Sequence, residues 1–161
     1  MDINSAATTD NTANNSSGAQ LLTFFLDGQE YGVDILRVQE IRGWSEPMPI
    51  PNAPSYIKGV INIRGDVVPI ADLGQRIGVR TKTYGATTAV VVLRVHIKNR
   101  ERTMGIIVDA MSGVTSVPCE ALKPPPTFDS SDDELTKYIA TVGEKMITIL
   151  DVDHIFGGRS S

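Results

Sequence analysis

Short runs of β-forming residues, each closed by a turn, recur from residue 20 almost to the end of the chain. No stretch holds apolar residues at helical spacing long enough for a bundle or a βαβ unit. That pairing of a presence and an absence excludes most architectures. Leu22, Phe24 and Leu26 alternate with Thr23 and Phe25, Asp27-Gly28 supplies a turn, and Tyr31 to Val33 resumes the run, which predicts a β-hairpin. Tyr56 to Ile63 and Val67 to Ile70, divided by Arg64-Gly65-Asp66, predict a second. Ala89 to Leu93 is apolar throughout, the pattern of a strand buried on both faces; a polar tip from Lys98 to Arg102 then leads to Met104 to Val108. Val114 to Val117 reads as a short strand ended by Pro118. Tyr138 to Val142 and Lys145 to Leu150, joined by Gly143-Glu144, form the clearest hairpin.

Helix is confined to single turns. Ile35 to Ile41 fits one face of a short helix and, from Val38, equally fits a strand. Asp72 can cap a turn or two with Leu73 and Ile77 on one side and Gly78 as the stop. Ser131 to Glu134 has capping-box spacing, and Asp151 to Phe156 reads as a terminal helical turn. Between Glu46 and Pro54 four prolines fix φ and remove donors, so an extended loop is expected. Residues 1–19, mostly Asn, Ser, Thr and Ala, have too little to bury to offset their chain entropy and are expected to form a disordered tail, with 157–161 a flexible end. The polar connector Arg80 to Gly85 suggests a division into two halves, about 20–80 and 81–150, with 151–156 packing back. The expected class is mostly β.

Nothing in this inventory supplies chemistry. The glycines sit in hairpin turns rather than opening a helix after a strand, so no phosphate loop is indicated. His96 lies beside a strand end and His154 in the terminal turn, and neither has a nucleophile and an orienting group in a recognisable pattern. Asp129, Asp132, Asp133 and Glu134 lack the alternation and central glycine of an EF-hand, and Arg64-Gly65-Asp66 is a turn. The single Cys119 cannot pair within the chain, and with only two histidines it cannot complete a zinc site; this usage fits a reducing compartment. Asn14 and Asn15 match the glycosylation pattern, but no basic-then-apolar leader accompanies them and no apolar run approaches the ~20 residues of a membrane helix. A cytoplasmic, soluble protein is expected. With 15 Lys and Arg against 19 Asp and Glu, the formal charge of −4 disfavours nucleic acid. The one basic cluster, Lys98, Arg100 and Arg102, leaves an RNA-binding small barrel as the alternative, although it has no aromatic neighbour for stacking.

Several ordered motifs add a resemblance. Glu30 to Gly43, Pro51 to Pro54, Ile57 to Gly65, Val68 to Leu73, Gly105 to Asp109 and the final hairpin together resemble the CheW family of chemotaxis coupling proteins, over about residues 20–156. The resemblance implies two SH3-like five-stranded β-barrel subdomains with short helical turns, and no catalytic residue, cofactor or metal. It implies a scaffold that bridges the cytoplasmic tip of methyl-accepting chemoreceptors to the regulatory domain of the CheA histidine kinase. Such a scaffold is recruited to membrane-associated receptor arrays without entering the membrane; relatives in other chemosensory-type pathways, such as those of surface motility, would look alike. By motif, Ile35, Val38, Glu40, Gly59 and Arg64 fall in the segments tied to partner contacts, and Gly105 and Val114 in the second half. Ile35 and Val38 would supply an apolar surface to a helical receptor tip, with Glu40 and Arg64 fixing register by charge. The plainer alternatives are core packing for the first two and an intrachain ion pair for the others. The chain is a few residues longer than its relatives around His96 to Arg102, and carries Gly74 where many have a charge.

Overall fold

Four two-residue turns set the architecture. At Asp27-Gly28, Arg64-Gly65 and Lys98-Asn99 both central residues have positive φ, and Gly143 opens the fourth turn at φ 63°. These are the turns whose twist matches that of the strands they join. The computed structural model describes residues 18–79, 83–126 and 135–156. In chain order it comprises β1 (Gly18–Leu26), β2 (Gln29–Asp34), a 3₁₀ turn (Ile35–Arg37), β3 (Val38–Gly43), β4 (Ile57–Ile63), β5 (Asp66–Asp72) and α1 (Leu73–Ile77). Then follow β6 (Ala89–Ile97), β7 (Arg100–Val108), β8 (Ala110–Pro118), a second 3₁₀ turn (Cys119–Ala121), β9 (Leu122–Lys123), β10 (Thr136–Val142), β11 (Lys145–Leu150) and α2 (Val152–Ile155).

The strands form two curled sheets, one of five strands in the order β3-β6-β7-β5-β4 and one of six in the order β8-β1-β2-β11-β10-β9. The sixth strand, β9, is only two residues long. The sheets repeat one plan: a hairpin (β6–β7 or β1–β2) pairs in parallel with the second strand of another hairpin (β5 or β11), and that strand runs into a helical turn capped by its last or next aspartate. Asp72 accepts from the Gln75 N–H at 3.0 Å and Asp151 from the Asp153 N–H at 3.1 Å. The mostly β fold in two subdomains is as expected, but strand pairing does not divide the chain near residue 80. β1 and β2 leave the first half to pair with β8 and β11, while β6 and β7 complete the sheet begun by β3 to β5. Hairpin register is local and readable; which hairpin an edge joins is decided by burial between distant segments.

Three apolar clusters result. Ile63, Val68, Ile70, Val90, Val92 and Ile107 fill the five-stranded sheet, with Trp44, Ile61 and Tyr84 packed against them. Leu21, Val117, Ala140, Ile147 and Ile149 fill the six-stranded one. The largest lies between the sheets and includes Leu22, Phe24, Leu26, Val33, Val91, Leu93, Ile106, Val108, Leu150 and Ile155. Val90 and Val92 face one cluster and Val91 and Leu93 another, which explains why Ala89 to Leu93 is apolar without alternation.

The ambiguity at Ile35 to Ile41 resolves into both readings in succession, one 3₁₀ turn and then a strand. β8 begins at Ala110, four residues before the expected start, and the β6–β7 turn is confined to Lys98-Asn99, so Arg100 to Arg102 already lie in β7. The short helix that the capping-box spacing predicts through Leu135 and Tyr138 does not form where it is described, because Leu135 lies in a turn and Thr136 opens β10; its start at Ser131 to Glu134, the flexible end at 157–161 and nearly all of the tail lie outside the described residues.

Candidate functional site

The 3₁₀ turn is built by its flanking residues. Asp34 Oδ1 accepts from the Leu36 N–H at 2.9 Å, and the Val38 N–H donates back to the Ile35 carbonyl. This leaves Ile35 half-buried and Leu36 projecting, 76% exposed. Arg37 then locks the turn in place. Its two terminal nitrogens donate to the two carboxylate oxygens of Asp153 on α2 at 2.9 and 2.7 Å, and Nη1 also reaches the Arg94 carbonyl at 2.8 Å. Asp153 takes a further bond from the His96 N–H at 2.7 Å. The Arg37 guanidinium holds the Asp153 carboxyl below its ordinary range despite burial, with the His96 N–H adding to the effect. Leu36 is thus an apolar knob on a braced support.

Along β3, Val38 packs against the core between the sheets. Glu40 is held by two arginines: Arg64, at the tip of the β4–β5 turn, donates to Oε1, and Arg42 Nη1 donates to Oε2 at 3.0 Å. Hydrogen bonds from Arg64 first and Arg42 second keep the Glu40 carboxyl below its ordinary range. β3 and β4 are the two opposite edges of the five-stranded sheet. The Glu40–Arg64 link therefore joins the edges as the sheet curls. Arg64 keeps 72% of its side chain exposed and spends one nitrogen on Glu40, so most of its five N–H donors face solvent.

Val114 is 57% exposed on β8, the outer strand of the six-stranded sheet. Its register neighbours are Leu22 and, one strand further, Val33, both in the core between the sheets. Val38 and Val114 thus lie on different sheets, Val38 packed on the core between them and Val114 exposed on an outer strand. The structure therefore joins Glu40 to Arg64 and sets Ile35 and Val38 just ahead of Glu40 along the chain, with Val114 on the other sheet. Gly59 and Gly105 are different: both are buried and present no surface. Gly59 has φ 144°, and a Cβ there would collide with the Met48 carbonyl. Its absence allows Met48 and Val60 to exchange backbone hydrogen bonds at 2.9 Å each way, which fastens the proline-rich loop to β4. A Cβ on Gly105 would lie 2.6 Å from Ile70 Cδ1 and 3.1 Å from Val90 Cγ1, inside the five-stranded sheet. These two glycines act through packing.

Exposed apolar side chains are the surface features that the motifs passed over. Leu36 is one. Val67 and Met146, 68% and 65% exposed, are others, each the second residue after the turn in the repeated hairpins β4–β5 and β10–β11. The signal was present: Val67-Val68 and Met146-Ile147 are adjacent apolar pairs, and in a pleated strand only one member of such a pair can face the core. Among the described residues, no cluster of His, Cys, Asp and Glu is placed to hold a metal, and no helix is long and apolar enough to cross a membrane. The exposed features of this region are a braced apolar knob, Leu36, and the guanidinium of Arg64.

Comparison with known proteins shows the family of the chain. The CheW-like domain profile matches residues 20–159. The chain is 37% identical to "Chemotaxis protein CheW" of Klebsiella aerogenes over 154 residues, covering 95% of this chain and 90% of that one. It is 32% identical to "Probable chemotaxis protein CheW" of Rhizobium etli, covering 91% and 93%. Among solved structures, the scaffolding protein TtCheW from Thermoanaerobacter tengcongensis superposes with a TM-score of 0.79 at 28% identity, covering 89% of this chain and 96% of that one.

Proposed function

The chain belongs to the CheW-like domain family, and we propose on that premise that it works as a non-catalytic scaffold of chemotaxis signalling, coupling the cytoplasmic tips of chemoreceptors to the regulatory domain of a CheA histidine kinase. Such a protein would reside in the cytoplasm and be recruited to receptor arrays through its partners. The observation that carries the reading to particular residues is the arrangement around Glu40. That carboxylate is occupied by two arginines, and one of them, Arg64, still presents most of its guanidinium to solvent.

The intrachain ion pair and the docking role are therefore compatible, with unequal parts. Glu40 positions; Arg64 contacts. A helical receptor tip recognised here would lay apolar side chains against Ile35, Leu36, Val38 and Val114, while an acceptor on the partner takes the free N–H groups of Arg64. Arg64→Ala would weaken the partner by removing the contact, and Glu40→Ala by releasing the side chain that makes it.

The test is co-sedimentation or pull-down of the purified chain with a cognate CheA kinase and a receptor cytoplasmic fragment. A ternary complex formed by wild type and lost in Arg64→Ala and Glu40→Ala, with circular dichroism unchanged, supports the scaffold and its site together. Failure of the well-folded wild type to bind either partner removes the proposal, and unfolding of either variant reassigns that residue to stability.

A further inference from the structure

The β6–β7 hairpin outruns its sheet. β3 pairs with β6 only as far as Leu93, and β5 pairs with β7 only from Gly105 to Ile107. Residues 94–97 and 100–104 therefore continue as a two-stranded ribbon beyond the last sheet neighbours. Opposed residues in an antiparallel pair share a face. Ile97 opposes Arg100, Val95 opposes Arg102 and Leu93 opposes Met104, while Arg94 with Thr103 and His96 with Glu101 belong to the other face. On the first face Ile97, Lys98, Arg100, Arg102 and Met104 line a shallow depression of about 450 Å³. Ile97 and Met104 also pack against the core between the sheets, so the floor is fixed and apolar and the rim is cationic.

Charge here runs against the rest of the molecule. Arg94, Lys98, Arg100 and Arg102 oppose a single acid, Glu101, in a chain of net charge −4. Glu101 is engaged by Arg94 on the far face at 3.7 Å. Among the described residues Lys98, Arg100 and Arg102 have no ion-pair partner, so three like charges share one cup with nothing to balance them. That arrangement costs repulsion unless an anion is present. The ribbon from Arg94 to Met104 holds no Phe, Tyr or Trp on which a base could stack, and its one imidazole, His96, lies on the opposite face. Nucleic acid is thereby disfavoured, and the apolar floor calls for more than a bare anion.

We infer that this face of the ribbon is a docking site for an acidic segment of a partner protein that carries an apolar side chain between its carboxylates. The apolar group lies on Ile97 and Met104, and the flanking carboxylates meet Lys98, Arg100 and Arg102. The Ile35–Arg37 turn touches the ribbon through Arg94, on the opposite face, so this site can be filled without displacing a partner held at that turn.

The probe is a labelled glutamate-rich peptide with one central phenylalanine, titrated against the full chain by fluorescence anisotropy. Companion titrations use the same peptide with glutamine for glutamate, the same peptide with serine for phenylalanine, and a single-stranded oligonucleotide. Wild type binds the acidic phenylalanine peptide best, and added salt weakens it. The double variant Arg100→Glu, Arg102→Glu loses roughly tenfold or more in affinity with circular dichroism unchanged, whereas Lys137→Gln on β10 does not. Should the double variant fail to fold, Lys98→Gln at the turn carries the same expectation at a smaller size. Equal binding by wild type and the charge variants overturns the inference, as does binding of the glutamine peptide or the oligonucleotide at least as tightly as the acidic one. No receptor or kinase enters this assay, so its failure is distinct from failure of the coupling role.

Discussion

Gly105→Ala is the substitution that best separates packing from recognition. The position lies among those the family resemblance ties to partner contacts, yet the added methyl would meet Ile70 Cδ1 at 2.6 Å and Val90 Cγ1 at 3.1 Å. Ile70 is 0% and Val90 2% exposed, so neither has free volume to retreat into. Overpacking of this kind costs about 1–3 kcal/mol, and the low end applies if the terminal methyl of Ile70 can rotate. For a chain of this size that corresponds to a fall in Tm of about 2–12 °C. Ile70→Val alone deletes the closest methyl and costs about 0.5–1.5 kcal/mol. Combined, the two changes should cost less than their sum by on the order of 1 kcal/mol, because the second makes the room that the first requires. The assay is urea unfolding followed by tryptophan fluorescence. Trp44 is the chain's one tryptophan, stacks on Tyr84 with ring centroids 4.3 Å apart, and packs against the same cluster. Full additivity, or a Gly105→Ala variant as stable as wild type, would refute the packing argument and return Gly105 to the surface account.

Two further outcomes are expected. Leu36→Ser should leave stability within about 0.5 kcal/mol of wild type, since the side chain is exposed, yet weaken capture of a receptor cytoplasmic fragment; unaltered capture would remove Leu36 from the site. The Asp153 carboxyl is held below its ordinary value of 3.8 in the folded state, so its contribution to stability is present above that value and lost as pH falls through the lower folded one. Asp153→Asn should therefore lower stability at neutral pH and flatten its decline in acid. Curves that stay parallel from neutral to strongly acidic pH would show that the bond to Arg37 is energetically idle.

Most of the fold's local grammar could be read directly. Asp27, Gly28 and Gly65 are residue types that accept positive φ, and they mark their turns; Arg64 follows from the glycine beside it. Lys98-Asn99 was bracketed too widely, because lysine gives no such signal and the following Arg100 to Arg102 are as polar as a loop. Pairing beyond the hairpin was hidden. Nothing in Gln29 to Asp34 announces that it will lie parallel to Lys145 to Leu150, since that choice is made by burial across more than a hundred residues. Site residues divided in the same way. Glu40 and Arg64 stand in the motifs, and their opposite charges allow the mutual bond that the structure contains. The Asp153 brace on Arg37 was not, because its two ends lie on elements whose proximity only the fold creates. Gly59 and Gly105 stood in the motifs for reasons of space, and a motif does not distinguish a residue that touches a partner from one that lets two strands approach.

The interleaving of the two sheets bears on how the chain is made. The five-stranded sheet occupies one continuous stretch, from Val38 to Val108, and every strand it needs has left the ribosome once that stretch is complete. The β1–β2 hairpin emerges first but finishes last, because its neighbours β8 and β11 belong to residues 110–150. At ordinary synthesis speeds, from the end of β7 at Val108 to the end of β11 at Leu150, the wait is roughly 2–8 s. During that interval Phe24, Leu26 and Val33 can rest only on the half-built molecule beside them. Asp109, at the crossing between sheets, donates its N–H to the Phe25 carbonyl at 3.0 Å and accepts from the Asp27 N–H at 2.9 Å. Among the described residues that follow the five-stranded sheet, it is the first to hydrogen-bond the hairpin, a clasp between the strand pair made first and the strands made last.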